Sequence, residues 1–375
     1  MALWWSTNKH VQQQQQQQQQ SVIVRFVSNG ANYQEYINPS ESHKLSCSTT
    51  TTTTIFDFDT YNYYLPNGIL VSSLNDVCTV ATNHENNIFV TRVPKSQHYV
   101  WPAPYIGHNT SVSLQDGTKI RLEVLASSPR ILYVHNFLSE SEANDLISYA
   151  QSDKNPYKMA PSTTGTEMWN HMSEERRKSA ISSRRTSTNA FVLSTPTAKR
   201  LKRRAFDMLN LKYDEEMADG IQVLRYDRKQ AYVAHTDYFP VSSNTERGSH
   251  NFDSSTGGTN RFATVFLYLN DVEEGGQTVF PLLDRNHTSS QEDERKSKEE
   301  TEWKDSWEGN MVKQCRTKFS VQAKKGSAIL FYSQLADGTL DPRSLHGGCP
   351  VLSGEKWAAN LWVWNGCRYG LDCKS

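Results

Sequence analysis

Two histidines and one aspartate in the C-terminal half of the sequence have the residue types and spacing of metal ligands. His235 and Asp237 are separated by one residue within a β-prone run, residues 231–237. Because side chains alternate between the two faces of a strand, both would point the same way and bind one ion from neighbouring positions. His346, in residues 344–348, is the best candidate for a third ligand.

The chemistry of this donor set indicates an open iron centre. Two histidines and one carboxylate on one face of Fe(II) leave coordination positions free for a cosubstrate and dioxygen. A structural zinc site closes those positions and usually employs cysteine, and the six cysteines contain no C-x-x-C pair. The H-x-D triplet alone is a weak signal, so the interpretation depends on its surroundings.

Lys356 strengthens the interpretation of these residues as an iron site. It follows His346 by ten positions and begins an apolar run of strand length, residues 356–364. Burying a lysine on such a strand is costly unless an anion meets it. One interpretation is an edge-strand lysine that reaches solvent. The other is a cation that binds the distal carboxylate of 2-oxoglutarate. Period-two alternation places these residues on one face: Lys356, Ala358, Asn360, Trp362 and Trp364.

Composition describes an ordinary globular protein. Hydrophobic residues make up 37% and charged residues 21%, with a formal net charge of +0. This balance gives no electrostatic case for nucleic acid as a partner. The longest apolar stretches, such as residues 262–269, are far below the roughly 18 residues that span a bilayer, so no transmembrane segment is expected. Residues 1–10 lack the basic start and apolar run of a secretory signal.

Three regions follow one another along the chain. Residues 1–60 contain a glutamine run (12–20) and a threonine run (49–54). They are predicted to be low-complexity and disordered, because such tracts bury too little apolar surface. Short β-like runs with turn residues predict a small β-rich segment over 61–128, either a module of its own or extra strands on the domain that follows. Residues 129–370 form the main predicted domain.

That domain is expected to be α+β. Ser139 and Glu142 form a capping box at the start of one helix, and a second helix begins near Thr195. The basic string at 199–204 is interpreted as the solvent face of the second helix, rather than a nuclear localisation signal. Two hydrophilic inserts, 242–260 and 284–310, are predicted to be surface loops, with a lid beside the active site as the alternative for the first. Strands are predicted at 221–226, 231–237, 262–269, 278–280, 328–332 and 356–364.

With these residues in place, the domain resembles the catalytic domain of prolyl 4-hydroxylases, including those of plants and algae. The resemblance implies a double-stranded β-helix, or jelly roll, with helices on its outer face. The matching segments occur in order at 129–138, 185–189, 221–226, 232–239, 261–264, 267–281, 325–331, 344–351 and 354–357.

The resemblance also implies roles for individual residues. His235, Asp237 and His346 match the iron ligands, and Lys356 matches the 2-oxoglutarate anchor. Tyr226 matches a tyrosine that hydrogen-bonds the cosubstrate, although it could equally be a core tyrosine. The remaining candidates are predicted to be catalytic. Tyr232 and Trp362 match aromatic residues near the substrate or cosubstrate. Arg261 matches a basic residue at the mouth of the site, either a clamp for peptide carbonyls or a plain surface arginine.

The implied activity is hydroxylation of peptidyl proline to 4-hydroxyproline. It requires Fe(II), 2-oxoglutarate and dioxygen, releases succinate and carbon dioxide, and uses L-ascorbate to rescue oxidised iron. Proline-rich peptides suit a groove because they arrive preformed as polyproline II. The alternatives are an oxygenase of another substrate class (lysine, a small molecule or a nucleobase) and a jelly-roll binding module without metal. All four ligand and anchor positions are filled, which disfavours the second.

Oligomeric state and compartment are weaker expectations. Nothing in residues 1–125 resembles the dimerisation helices of animal collagen hydroxylases, so an enzyme acting as a monomer is favoured. The resemblance implies the endoplasmic reticulum or secretory pathway, with the cytoplasm as the alternative. Cys315 and Cys349 are expected to pair if the protein folds in the endoplasmic reticulum.

Overall fold

The structure is a computed structural model that describes residues 21–39, 41–47, 55–81, 87–162, 185–241, 250–285 and 306–368. The helices are α1 (Tyr33–Ile37), α2 (Leu74–Ala81), α3 (Glu140–Gln151), α4 (Pro196–Met208) and α5 (Trp307–Thr317). The first strands are β1 (Ser21–Ser28), β2 (Glu41–Ser46), β3 (Tyr61–Tyr64), β4 (Asn87–Pro94), β5 (Asn109–Ser113), β6 (Lys119–Ser127), β7 (Arg130–His135), β8 (Ala160–Pro161) and β9 (Thr188–Val192). The remaining strands are β10 (Ile221–Tyr226), β11 (Tyr232–His235), β12 (Arg261–Tyr268), β13 (Glu274–Gly275), β14 (Thr278–Asp284), β15 (Lys318–Val321), β16 (Ala328–Tyr332), β17 (His346–Gly348), β18 (Val351–Ser353) and β19 (Lys356–Trp364).

Two facing sheets form the C-terminal domain. The larger has nine strands in the order β5-β6-β7-β16-β12-β19-β10-β9-β8, and the smaller has the order β11-β17-β14-β15. Side chains from both sheets meet between them: the ring of Phe280 on β14 lies 5.5 Å from that of Phe331 on β16. Two apposed sheets around one apolar core are the layers of a jelly roll. The predicted α+β jelly roll with flanking helices is confirmed.

Strand β19 runs through the middle of the large sheet, between β12 and β10. Its odd-numbered residues, such as Leu361, pack with Leu201 and Phe206 of helix α4 in one core cluster. Its even-numbered residues face the smaller sheet, where Ala358 packs with Phe280 and Phe331. The predicted alternation therefore holds, and it turns Lys356, Asn360 and Trp362 towards the space between the sheets.

Helices α3 and α4 cover the outer face of the large sheet. The predicted capping box is present, with Ser139 and Glu142 bonded in both directions at the start of α3. The interpretation of the basic string on α4 is wrong for two of its residues. Lys202 is buried against Glu215, and Arg204 is buried with its Nη1 2.9 Å from Glu142. Carboxylates at the flanks of the helix neutralise these cations, so they do not need solvent.

The N-terminal region departs from its predicted disorder. Strands β1 and β2 lie within the residues predicted to be disordered, and with β3 and β4 they form a sheet of order β2-β1-β4-β3. Alternate side chains of β1, Val22, Val24 and Phe26, are buried in its core. A disulfide joins Cys47 to Cys78. This alternation stabilises strands despite the biased flanks; the glutamine and threonine runs themselves lie outside the described residues.

The predicted β-rich segment, 61–128, is divided between two sheets. Its first half supplies β3 and β4 to the N-terminal sheet, whereas β5 and β6 extend the large sheet beside β7. Arg130 on β7 links the large sheet to the N-terminal region. Its Nη2 donates to the carbonyl of Gly30 at 2.6 Å, and its Nη1 donates to the carbonyl of Trp101. The segment is therefore not a separate module.

The two inserts also differ from the prediction of plain surface loops. The end of the second insert forms the start of helix α5, whose Cys315 is bonded to Cys349 beside β17. In the first insert, the Asn260 side chain is buried and bonds both the amide and the carbonyl of Phe239. Residues 242–249 and 286–305 lie outside the described residues. Among the helices that the structure describes, none has the length and apolarity needed to cross a membrane.

Candidate active site

The three predicted ligands converge between the two sheets. Strand pairing places His235 of β11 directly opposite His346 of β17. Asp237 follows β11 and reaches both imidazoles: its Oδ1 lies 3.7 Å from His235 Nε2, and its Oδ2 lies 3.5 Å from His346 Nε2. The ligand atoms of all three residues lie within 4.8 Å of one another. The structure thus brings together residues that are 111 positions apart in the chain, from 235 to 346.

Backbone carbonyls fix the orientation of both histidines. His235 Nδ1 lies 3.0 Å from the carbonyl oxygen of Val233, and His346 Nδ1 lies 2.9 Å from that of Ser344. A carbonyl oxygen only accepts hydrogen bonds, so in each ring Nδ1 carries the proton and donates it. The lone pair is left on Nε2, which is the atom that faces Asp237 in both cases.

The protonation states also suit a metal. Burial, reinforced by the neighbouring His346, lowers the pKa of His235 to about 3, which keeps this imidazole neutral. Burial disfavours the charged form of Asp237, but His346 and His235 hold the pKa of this carboxyl below its usual range. Two imidazoles and one carboxylate form the donor set of a non-haem Fe(II) centre. The residues present therefore fit an iron ion.

Thr264 supports the aspartate ligand and was missed in the sequence. It lies on β12, is buried, and donates its hydroxyl to Asp237 Oδ2 at 2.7 Å. This bond leaves Oδ1 available and holds the carboxylate in one rotamer. Nothing in the spacing of the sequence indicates it, because β12 and β11 meet only through the fold.

We expect Thr264→Val to weaken metal binding by about 10- to 100-fold, the usual effect of losing a hydrogen bond to a ligand. Valine keeps the shape of threonine, so the core between the sheets should stay packed. The measurement is titration of the metal-free protein with Fe(II) under anaerobic conditions. Thr110→Val on the edge strand β5 is the control, and equal affinities of the two variants would contradict the role of Thr264.

Lys356 is buried, with 1% of its surface exposed. Its Nζ lies 5.2 Å from the ring centre of Phe266, 5.6 Å from Tyr226 and 5.8 Å from Tyr268. Burial alone lowers the pKa of this amine to about 7, and no acidic group of the described residues counteracts it. The alternative of an edge-strand lysine reaching solvent is wrong, because β19 is central in its sheet. Within the described residues no carboxylate offsets the burial of this ammonium, so an anionic ligand would stabilise it.

Two tyrosines line the same space. Tyr226 pairs with Lys356 across β10 and β19, and burial raises the pKa of its hydroxyl, so it stays a hydrogen-bond donor. Tyr232 stacks on His235 with ring centres 3.8 Å apart. The guanidinium of Arg185, another residue missed in the sequence, lies 4.6 Å from the Tyr232 ring centre. Both predicted tyrosines therefore face the site, and their roles stay predictions.

Arg261 is not a plain surface arginine. Its guanidinium stacks 3.7 Å from the ring centre of Trp362, and its Nη1 donates to the backbone carbonyl of Asp237 at 3.2 Å. Its Nη2 lies 2.9 Å from the carboxylate of Asp219, which the sequence did not reveal as a partner. Trp362 is itself buried, and its indole Nε1 has no hydrogen-bond partner within the described residues. This pair forms one wall beside the metal ligands.

Comparison with known proteins agrees with this site. The profile of the 2OG-Fe(II) oxygenase superfamily matches residues 221–364, which include the three ligands and Lys356. Probable prolyl 4-hydroxylase 3 of Arabidopsis thaliana is 36% identical over 244 residues, covering 64% of this chain and 71% of that protein. Prolyl 4-hydroxylase 2 of the same plant is 34% identical over 246 residues, covering 65% and 70%.

Among solved structures, the viral collagen prolyl hydroxylase of Paramecium Bursaria Chlorella virus-1 is similar, with 22% identity and a TM-score of 0.38. The match covers 62% of this chain and 95% of that one. The jelly roll and its His-Asp-His centre define an Fe(II)- and 2-oxoglutarate-dependent dioxygenase. Given its sequence similarity to the plant enzymes over most of their length, the chain belongs to the prolyl 4-hydroxylase family.

Proposed function

We propose that this enzyme hydroxylates proline residues of peptides at C4, with conversion of 2-oxoglutarate and dioxygen to succinate and carbon dioxide. The observation that supports 2-oxoglutarate as the cosubstrate is the buried Lys356 ammonium, which has no acidic partner among the described residues. Proline as the substrate is supported by the similarity to plant prolyl 4-hydroxylases.

The metal ligands and the cosubstrate anchor have separate proposed roles. His235, Asp237 and His346 would hold Fe(II), and Lys356 would hold the distal carboxylate of 2-oxoglutarate. Bound iron supplies the activation of dioxygen that oxidises an unactivated C–H bond. The chain would orient the reactants and exclude water in the space between the two sheets. Tyr226 would donate its hydroxyl proton to the same carboxylate as Lys356.

The substrate side is proposed to be the wall formed by Trp362, Arg261 and Tyr232. Flat aromatic faces suit proline rings, and a polyproline II peptide binds at low cost in conformational entropy. Internal contacts with Asp219 and Asp237 hold Arg261 rigid, so it would meet the peptide without reordering.

The activity test combines the protein with Fe(II), 2-oxoglutarate, ascorbate and proline-rich peptides, and measures succinate and peptide mass. We expect succinate together with peptides heavier by one oxygen atom on proline. Absence of succinate above a metal-free control would contradict the proposed 2-oxoglutarate oxygenase activity. Succinate formed with unoxidised proline would instead indicate another substrate class, such as lysine or a small molecule.

The pH dependence of 2-oxoglutarate binding provides a separate prediction. Since burial lowers the pKa of Lys356 to about 7 in the free protein, the ammonium form is lost as the pH rises above that value. A dicarboxylate needs this form, so its dissociation constant should rise by up to about tenfold per pH unit above about pH 7. Equilibrium titration of the Fe(II)-loaded protein without oxygen measures it.

Pyruvate is the matched control ligand, because it keeps the 2-oxoacid group and lacks the distal carboxylate. Its weaker binding should change little across the same pH range. Parallel pH profiles for the two ligands would remove Lys356 as the anchor.

A further inference from the structure

Asn109 begins the edge strand of the large sheet. Strand β5 pairs with β6, and no strand of the described residues pairs with its other side. Its side chains alternate, with Asn109, Ser111 and Ser113 exposed and the two between them half-buried. Asn109, Thr110 and Ser111 form an Asn-x-Ser sequence, the acceptor pattern for N-linked oligosaccharides. The acceptor asparagine and the required hydroxyl thus lie on the same solvent face.

We propose that Asn109 is glycosylated in the lumen of the endoplasmic reticulum, the compartment that the family resemblance implies. The donor is an oligosaccharide linked through a diphosphate to a lipid, and the host's oligosaccharyltransferase provides catalysis. A bond forms between Asn109 Nδ2 and the anomeric carbon of the first sugar while the bond from that carbon to the diphosphate breaks. The lipid diphosphate leaves with the electron pair, and the amide loses one proton.

The disulfides independently indicate an oxidising compartment. Cys47 is bonded to Cys78 in the N-terminal sheet, and Cys315 is bonded to Cys349 next to the strand of His346. In the part of the chain that the structure describes, no cysteine is free. Structural disulfides form and persist in the secretory pathway and are rare in a reducing cytosol. Glycosyl transfer takes place in the same lumen.

The conformation of the Asn109 side chain directs the sugar towards exposed apolar side chains in the turn before β5. Its Nδ2 donates to the carbonyl of Gly107 at 2.7 Å, and its Oδ1 accepts from Arg121 Nη1 at 2.5 Å. Nδ2 therefore points to the turn before β5, where Tyr105 is 55% exposed and Ile106 is 51% exposed. A sugar on Nδ2 would cover these apolar side chains, and the amide keeps one N–H for Gly107.

A glycan at this position would also protect the sheet. An edge strand offers unpaired backbone groups to other chains, and natural proteins cover or charge such edges. The oligosaccharide would prevent another strand from approaching β5.

The glycan is tested with the full chain expressed behind a secretory leader in a eukaryotic host. All forms carry Asn286→Gln, which removes the other acceptor sequence at 286–288. We expect the parent and Ser111→Thr to lose mass with peptide N-glycosidase and to show aspartate at position 109. Ser111→Ala, which retains Asn109, should be unmodified. An unmodified Asn109 peptide in parent protein with both disulfides formed would overturn the proposal.

The compartment is tested by comparing lumenal protein with the same chain made in a reducing cytosol. We expect the cytosolic form to contain thiols at positions 315 and 349 and to melt lower by at least about 5 °C. A reduced protein with the same Tm and the same Fe(II) affinity would show that the disulfides do not stabilise the fold, and would overturn the use of these bonds as evidence for an oxidising compartment. Neither readout requires peptide hydroxylation, so failure of the proposed proline activity would leave this result unaffected.

Discussion

Replacing Lys356 with alanine is expected to raise the 2-oxoglutarate concentration for half-maximal activity by at least about 30-fold at pH 7. The reason is that loss of one partner of a buried charge pair costs about 2 kcal/mol or more. The distal carboxylate would then face the rings of Phe266 and Tyr268 without a cation. Succinate release measured against 2-oxoglutarate concentration gives this value.

The comparison variant is Lys313→Ala, which removes an exposed lysine on helix α5. It should leave the 2-oxoglutarate requirement unchanged. Binding of pyruvate should be equal in the parent and Lys356→Ala, since pyruvate has no distal carboxylate. An unchanged 2-oxoglutarate requirement in Lys356→Ala would show that the anchor lies elsewhere.

The same lysine should limit the stability of the ligand-free enzyme. Its folded-state pKa of about 7 is below its unfolded value of 10.5, so between these values the unfolded chain binds more protons. Stability should therefore rise with pH across this window. Lys356→Met relieves the penalty, and its gain in Tm should be largest at or below pH 7 and vanish near pH 10.5. A thermal melt across this pH range measures both effects.

Loss of the aspartate ligand is expected to have the largest effect on activity. Asp237→Asn keeps the size of the side chain but replaces the one anionic donor of the site with a neutral amide. Since losing a hydrogen bond to a ligand costs about 10- to 100-fold, losing the ligand charge should reduce kcat/KM by at least about 1000-fold. The measurements are bound iron after gel filtration and succinate release.

Asp153→Asn is the matched control, because that carboxylate is 95% exposed and pairs with Lys158 at the surface. It should retain iron and activity. The melting curve of the metal-free protein separates loss of metal from loss of fold. An Asp237→Asn protein that retains iron and turns over at a rate near the parent's would refute the assignment of this ligand.

The strands of the site could be predicted well from the sequence. Strands β10, β16 and β19 have the predicted bounds, because long apolar runs buried on both faces leave little choice of structure. The N-terminal strands were missed because homopolymeric runs flank them and conceal the alternation of Val22, Val24 and Phe26. Helix α5 was missed because a charged insert precedes it, so its short apolar stripe did not stand out.

The metal ligands could be predicted from the sequence, whereas the residues that hold the site in place could not. His235 ends strand β11 and Asp237 lies two residues further along the chain, so the alternation predicted for residues 231–237 already indicates that both reach one ion, although the strand itself ends at His235. The contacts made by Thr264, Asp219 and Arg185 cross from one strand or sheet to another. A single sequence contains no record of which strands become neighbours, so these partners appear only in the folded structure.

The carbonyl bonds at His235 and His346 have a consequence for which metal occupies the site. Each ring is oriented by a peptide group two residues earlier in its own segment, so the donors are arranged before any ion arrives. A preformed site of two nitrogens and one oxygen follows the general order of divalent affinities, in which Zn(II) and Cu(II) exceed Fe(II). Iron occupancy would then be decided by which metal the surrounding compartment supplies, and not by selectivity built into the protein.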